Sequence, residues 1–452
     1  MNTEATNSQL SLSTIHTNRS RIEAYQDCPR LRWLAYEWGR GLPIGLEGAP
    51  HVGGLSPARA SRDLLIGTCC HMALAEWMQY AKGHEGALPE AGEAWPAVER
   101  ALAEYGRVSQ RGLAFAQGGA PEAYDFFVRE GAALVEGLSW GAYLKLLPDM
   151  LQSYEVLEVE WEIEMPLGEV GGRPLQFNAR PDGLLRDRAT GDLVVLSWKT
   201  AGSWGRMQEL EFRHDNQGLS EAVAAEWKLG RTIDGVLMVI LVKGRKQADK
   251  TVQGKDVTYN PLVRCFRRAG VRGIIPEDSE PDAWAWANEV PKTNKQGEAY
   301  MGRLGAEWRA AHVWEVYPGG VKAWVEALAA GRVQPECGDP FEGVFVMPGV
   351  WVRSGRDMRD WRMEMEMQER KVAEDAEDAR GMMTENDPEL LAFMAANFRK
   401  RRKNCARYGG MCFMEQGCFG ADFVLENPLE NGFGLREPHH VQEMVEAEGG
   451  GE

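Results

Sequence analysis

The chain has 452 residues, 44% of them hydrophobic and 26% charged, with a formal net charge of −16 and eight cysteines. That length can bury a large core and is expected to form two or more lobes. No run of about 18 apolar residues and no apolar leader is present, so a transmembrane helix is excluded and a soluble, cytoplasmic protein is expected. The acidic balance excludes steering of a polyanion by the whole surface, so basic residues that touch nucleic acid have to be locally concentrated.

Residues 1–18 are rich in Ser, Thr and Asn and are expected to be mobile. From Leu64 to about Leu147 apolar positions recur at helix spacing, interrupted by a Gly/Pro-containing loop near Gly83 to Pro96. The alternation from Val156 to Glu164 is strand-like, with Glu160 and Glu162 on its solvent side. Leu184-Leu185 and Leu193-Val194-Val195-Leu196 read as buried strands joined by the turn Arg188–Asp192. A helix around Gln217 to Leu229 precedes the apolar strand Val236–Val242, which completes an αβββαβ order. Residues 248–350 read as an insertion. Helices from about Asp357 to Arg380 and near Pro388 to Arg402 lead to a last cysteine stretch, and residues 431–452 form an acidic tail. No phosphate-binding P-loop and no internal repeat is evident, so any ATP-driven unwinding has to come from another chain.

The chemistry concentrates where these strands end. Asp182 precedes the first apolar strand and Lys199 ends the second, so the hairpin can bring a carboxylate and a lysine together. A carboxylate that holds a metal ion, beside a lysine that steadies a nucleophilic water, suits metal-assisted phosphodiester cleavage. Lysine at the end of an apolar run is costly to desolvate without a partner.

This arrangement resembles the PD-(D/E)xK nuclease superfamily, and more narrowly its RecB-like branch, which includes many phage exonucleases. The stretch Ser20–Arg30, ending in Cys28-Pro29-Arg30, is similar to the branch's opening helix. Gly67-Thr68-Cys69-Cys70-His71 resembles its Gly-x-x-x-His motif. Gln217-Gly218-Leu219-Ser220-Glu221 resembles its Gln-x-x-x-Tyr helix, with Glu221 in the tyrosine's place. The resemblance implies an α/β fold: a mixed central sheet flanked by helices, with a restriction-endonuclease-like core over residues 19–430. It also implies a DNA nuclease using Mg²⁺ or Mn²⁺, an exonuclease of phage or bacterial recombination and processing. His71 and Asp182 would bind the metal, Lys199 would orient water, and Gln217 would position water or phosphate.

One position departs from the pattern. Ser197 stands where the family has an acid, and serine brings no full negative charge to a hard cation. Gln217 and Glu221 lie four residues apart on one helix face, so Glu221 is the expected replacement ligand, with Asp215 in reserve and Glu160 a weaker one. The alternative is a catalytically inactive nuclease fold that binds DNA or recruits a partner.

Cys405, Cys412 and Cys418 crowd into one Gly- and aromatic-rich stretch and suit metal ligation better than core packing. The resemblance makes them, with Cys28, the ligands of a 4Fe–4S cluster; structural zinc is the alternative. Cys69, Cys70, Cys265 and Cys337 read as small buried apolar residues. The basic run Arg399, Lys400, Arg401, Arg402 and Lys403 directly precedes this stretch, and Lys243-Gly244-Arg245-Lys246 follows an apolar strand. Both are candidate phosphate contacts, the first a DNA-binding site through Arg399, Lys400, Arg401 and Lys403. The expected partners are a DNA single strand or duplex end and a helicase or recombination protein, with no membrane.

Overall fold

The computed structural model describes residues 14–38, 53–115, 121–213, 215–244, 246–247, 258–268, 289–293, 299–303, 308–333, 339–385, 389–407, 410–412, 414, 418 and 428–436. It is a mixed α/β protein, as the sequence reading expected. In chain order its main elements are β1 (Ile15–Asn18), α1 (Arg19–Asp27), α2 (Arg62–Gly83), α3 (Ala91–Gln110), α4 (Pro121–Gly141), β2 (Tyr154–Val159), β3 (Ile163–Val170), β4 (Arg173–Ala179), β5 (Gly183–Asp187) and β6 (Leu193–Ala201). They continue with α5 (Arg206–Arg213), α6 (Asn216–Leu229), β7 (Gly235–Val242), α7 (Gly320–Ala329), β8 (Phe345–Val346), β9 (Val350–Trp351), α8 (Gly355–Glu385) and α9 (Leu390–Asn397).

The central sheet runs β8-β7-β6-β5-β2, with β9 also on β7. Only the β6–β7 pair is parallel in this sheet, in the register Lys199 to Ile240, and α6 makes that crossover. A second sheet, β1-β4-β3, lies beside it. The two faces of β6 explain where the site forms. Val194, Leu196 and Trp198 pack into the core under α2, α3 and α4. Leu193 and Val195 pack with Leu219, Ala222 and Val223 of α6. Side chains alternate along a strand, so Ser197 and Lys199 continue the α6 face.

Two helix details set the approach of the flanking layers. A Cβ on Gly67 would lie 2.7 Å from Thr200 Oγ1, so glycine lets α2 close on the end of β6. Gly230 ends α6 in the left-handed region at φ 63°, where glycine carries no steric penalty.

Several boundaries differ from the sequence reading. Ile15–Asn18, assigned to a mobile leader, is a buried strand paired in parallel with β4, and Asn178 Nδ2 bonds His16 Nδ1 at 3.2 Å. The alternation from Val156 to Glu164 is two strands, because the chain breaks at Glu160 (φ 47°) and leaves one sheet for the other. The interruption near Gly83 to Pro96 ends at Ala91, with Pro96 inside α3. Part of segment 248–350 belongs to the core: Leu262, Val263, Val313 and Trp324 are buried in it, and β8 extends the central sheet. Residues 433–435, placed in the acidic tail, pair with Leu55–Pro57, while 437–452 lie outside the described residues. Cys69, Cys70 and Cys265 are buried as expected; Cys337 lies outside the described residues.

Candidate active site

A cleft of about 610 Å³ opens between α2, α1, α6 and the ends of β4 and β5, and Arg19, His71, Glu160, Asp182, Gln217 and Glu221 reach it. Asp182 directly precedes β5, and its Oδ2 accepts a 2.6 Å hydrogen bond from the Trp198 N–H of β6. This bond holds the carboxylate at the strand end. His71, one helical turn beyond Gly67, lies with Nδ1 3.4 Å from Asp182 Oδ1.

Glu221 approaches from α6. It is 7% exposed, and its Oε2 is buried with no hydrogen-bond partner. Burial, with the Asp182 charge close by, pushes its carboxyl up to about 8. An unpartnered buried carboxylate oxygen is costly and suits a cation. Among the described residues no three His, Cys, Asp or Glu side chains come together as a ready-made metal site. The fit to a divalent ion therefore rests on the Asp182–Glu221 pair and on oxygen donors that substrate and water would add.

Ser197 is fully buried, and Gln217 Nε2 donates to its Oγ at 2.8 Å. Gln217 Oε1 in turn accepts from Arg19 Nη1. Ser197 thus anchors Gln217 and does not line the cleft. Lys199 lies next to this chain, with Nζ 3.5 Å from Asp215 Oδ2. Burial and the Arg19 charge hold the Lys199 ammonium below the ordinary lysine range. Burial works to raise the Asp215 carboxyl, but the Lys199 charge and the Gln217 N–H bond keep it below its usual range. Asp215 is also the N-cap of α6, with Oδ1 3.0 Å from the Gln217 N–H. These contacts set Asp215, the reserve ligand, on the lysine.

Of two further cleft residues, Arg19 was not foreseen and Glu160 was foreseen only as a weak reserve ligand. Arg19 stands at the start of α1, within electrostatic reach of Glu23, Glu221, Asp215 and Asp182. Glu160 was read as solvent-facing; it lines the cleft, bonded by Arg180 at 3.1 Å, and burial and Asp182 raise its carboxyl. Its left-handed backbone, which period-two alternation cannot signal, turns it inward.

Cys28 of the opening helix and Cys405 of the closing stretch both approach the Arg401 backbone, but among the described residues the four expected cysteines do not form a ready-made metal site. Cys28 Sγ is 3.3 Å from the Arg401 N–H, Cys405 Sγ is 3.9 Å from Arg401 O, and the Cys412 N–H donates to Cys405 O at 2.7 Å. Burial and the nearby Cys28 raise the Cys418 thiol to about 11, and all four thiols are free of disulfides. Of the basic run, Arg399, Lys400, Arg402 and Lys403 are exposed and Arg401 is half-buried. Lys400 Nζ and Arg401 Nη1 donate to the backbone carbonyls of Cys418 and Gln26. Lys243 reaches Asp63 O at 2.7 Å, and Arg245 lies outside the described residues.

Residues 16–299, more than half of the chain, match the family model of the PD-(D/E)XK nuclease superfamily. The chain belongs to that superfamily. Membership implies a nuclease, a phosphodiester hydrolase that binds nucleic acid. No curated protein matches the chain. Among the described residues no helix is long and apolar enough to cross a membrane.

Proposed function

We propose that the protein is a divalent-metal-dependent DNA nuclease of the RecB-like branch, in which Glu221 replaces the acid lost at Ser197. The observation that carries this reading is the buried, unpartnered Glu221 Oε2 in a cleft also lined by Asp182, whose charge acts on it, and by His71. Asp182 and Glu221 would hold Mg²⁺ or Mn²⁺, with His71 beside Asp182. When bound, such an ion polarises a phosphoryl oxygen and acidifies a water molecule.

The remaining groups have separate tasks. Lys199, kept in place by Asp215, stabilises negative charge that develops on the phosphate. Gln217, fixed between Ser197 and Arg19, points its helix face into the cleft and orients a water or a phosphate oxygen. Arg19 supplies a fixed positive charge for the nucleic-acid backbone.

We extend the proposal to the cysteines. Cys28, Cys405, Cys412 and Cys418 would hold a 4Fe–4S cluster fastening the chain's opening helix to its closing segment, a long loop closure that a metal clip stabilises. The approach of Cys28 Sγ and Cys405 Sγ to the Arg401 backbone supports this assignment. The resemblance to phage exonucleases supports action at a DNA end in recombination or processing, with any helicase on another chain.

Ser197, buried and consumed by Gln217, is the observation favouring the second reading, an inactive DNA-binding nuclease fold. The test is degradation of end-labelled single- and double-stranded DNA with Mg²⁺ or Mn²⁺. Metal-dependent shortening from an end supports the first reading, and intact DNA under every metal supports the second.

A further inference from the structure

We propose that one edge of α2 is a track for a single strand of nucleic acid, running from a second, cationic cavity to the candidate active site. The inference deepens the nuclease reading and rests on it for the position of the reacting phosphate. The second cavity, about 230 Å³, lies at the carboxyl ends of β6 and β7 and is lined by Arg62, Asp63, Glu130, Lys243 and Arg264. Three cations face two carboxylates there, which leaves one positive charge in excess.

The cations are held from several sides. Arg62 lies over the Phe127 ring at 3.9 Å and meets Glu130 Oε2 at 3.2 Å, while its Nε is buried without a partner. Arg264 reaches the other Glu130 oxygen at 2.5 Å. Lys243 lies with Nζ 3.8 Å from Asp63 Oδ1, and burial holds it below the ordinary lysine range. The amino end of α2, capped by Ser61, adds its positive dipole to the same place. Fixed cations in a small cavity suit a phosphate.

The same helix joins the two cavities. Arg62 and Asp63 line the cationic one, and Thr68, His71 and Met72 line the candidate active site. Between them Leu64 is 74% exposed, and Leu64, Thr68 and Met72 recur every four residues along one edge, Met72 being 41% exposed. From Asp63 to His71 the helix rises about 12 Å. That distance spans about three to four stacked nucleotides. An exposed apolar edge between two phosphate-binding ends fits a strand whose bases are unpaired, because a duplex hides its base faces in the stack.

The test is a salt titration of binding to a fluorescein-labelled oligothymidine, with chelator present so that nothing is cut. Leu64→Asp, a surface change, should weaken binding several-fold, and Arg264→Gln should also flatten the salt slope by about 0.7 per lost contact. Thermal melting confirms folding, and Leu64→Asp decides alone if Arg264→Gln is unstable. Wild-type affinity in Leu64→Asp, or a wild type that binds no oligothymidine, overturns the track. If wild type cuts DNA while Leu64→Asp binds normally, the track falls and the nuclease reading stands. If Leu64→Asp weakens binding but wild type cuts nothing, the track stands and the nuclease reading falls.

Discussion

Glu221 shares its cleft with Asp182, and burial together with the Asp182 charge holds the Glu221 carboxyl up at about 8. A carboxyl raised in the folded state contributes stability below its unfolded value, and that contribution is lost as pH rises through its folded value. In chelator, the melting temperature of the wild type should therefore fall between about pH 5 and pH 9 more steeply than that of Glu221→Gln. Mn²⁺ should restore the wild type at the alkaline end and not the variant. Parallel pH profiles for the two proteins would show that Glu221 does not carry this burden.

Lys199 and Asp215 make the second testable pair, 3.5 Å apart. Asn at position 215 can still cap α6 through its side-chain oxygen but cannot hold the lysine by charge. Asp215→Asn should lower kcat by ~10-fold or more with KM and melting temperature nearly unchanged, since small misplacement of a reacting group is costly. Asp215→Ala should cost a further ~1 kcal/mol of stability through the lost cap. An unchanged kcat in Asp215→Asn would make the pair purely structural.

The cysteine site predicts colour. Protein purified without oxygen should be brown, and Ser at Cys28, Cys405, Cys412 or Cys418 should remove colour and solubility together. Stoichiometric zinc without iron would replace the cluster assignment with a structural zinc.

The basic run should divide by role. Arg399 and Lys403 are exposed, so changing both to Gln should flatten the salt dependence of DNA binding without affecting folding. Arg401 donates to the Gln26 carbonyl beside the Cys28 sulfur, so Arg401→Gln should lower stability instead. A salt slope left intact by the double change would remove the run from the DNA interface.

Much of the site is legible in residue order because each feature is local. Asp182 precedes one apolar strand and Lys199 follows the apolar run of the next, a glycine four residues before His71 lets a helix close on the sheet, and Gln217 and Glu221 share a helix face. Arg19, and the inward turn of the weak reserve ligand Glu160, were not legible for a different reason. Arg19 enters the cleft only because β1 joins β4 from far along the chain, a pairing hidden in the polar-looking Ile15–Asn18. Glu160 turns inward at a break where the strand pattern continues unchanged. Likewise, charge alone cannot separate Arg401, which ties down the Gln26 carbonyl, from the exposed Arg399 in the same run.

The most direct measurement is Mn²⁺-dependent cleavage of end-labelled DNA by wild type, Glu221→Gln and the double variant Ser197→Asp/Glu221→Gln. A migrated metal ligand predicts cleavage by wild type, a loss of roughly 100-fold or more in Glu221→Gln with DNA binding kept, and partial recovery in the double variant. Ser197 already accepts from Gln217, so an Asp there keeps that bond and returns a charge to β6 beside Gln217. Cleavage by Glu221→Gln at the wild-type rate would contradict the account.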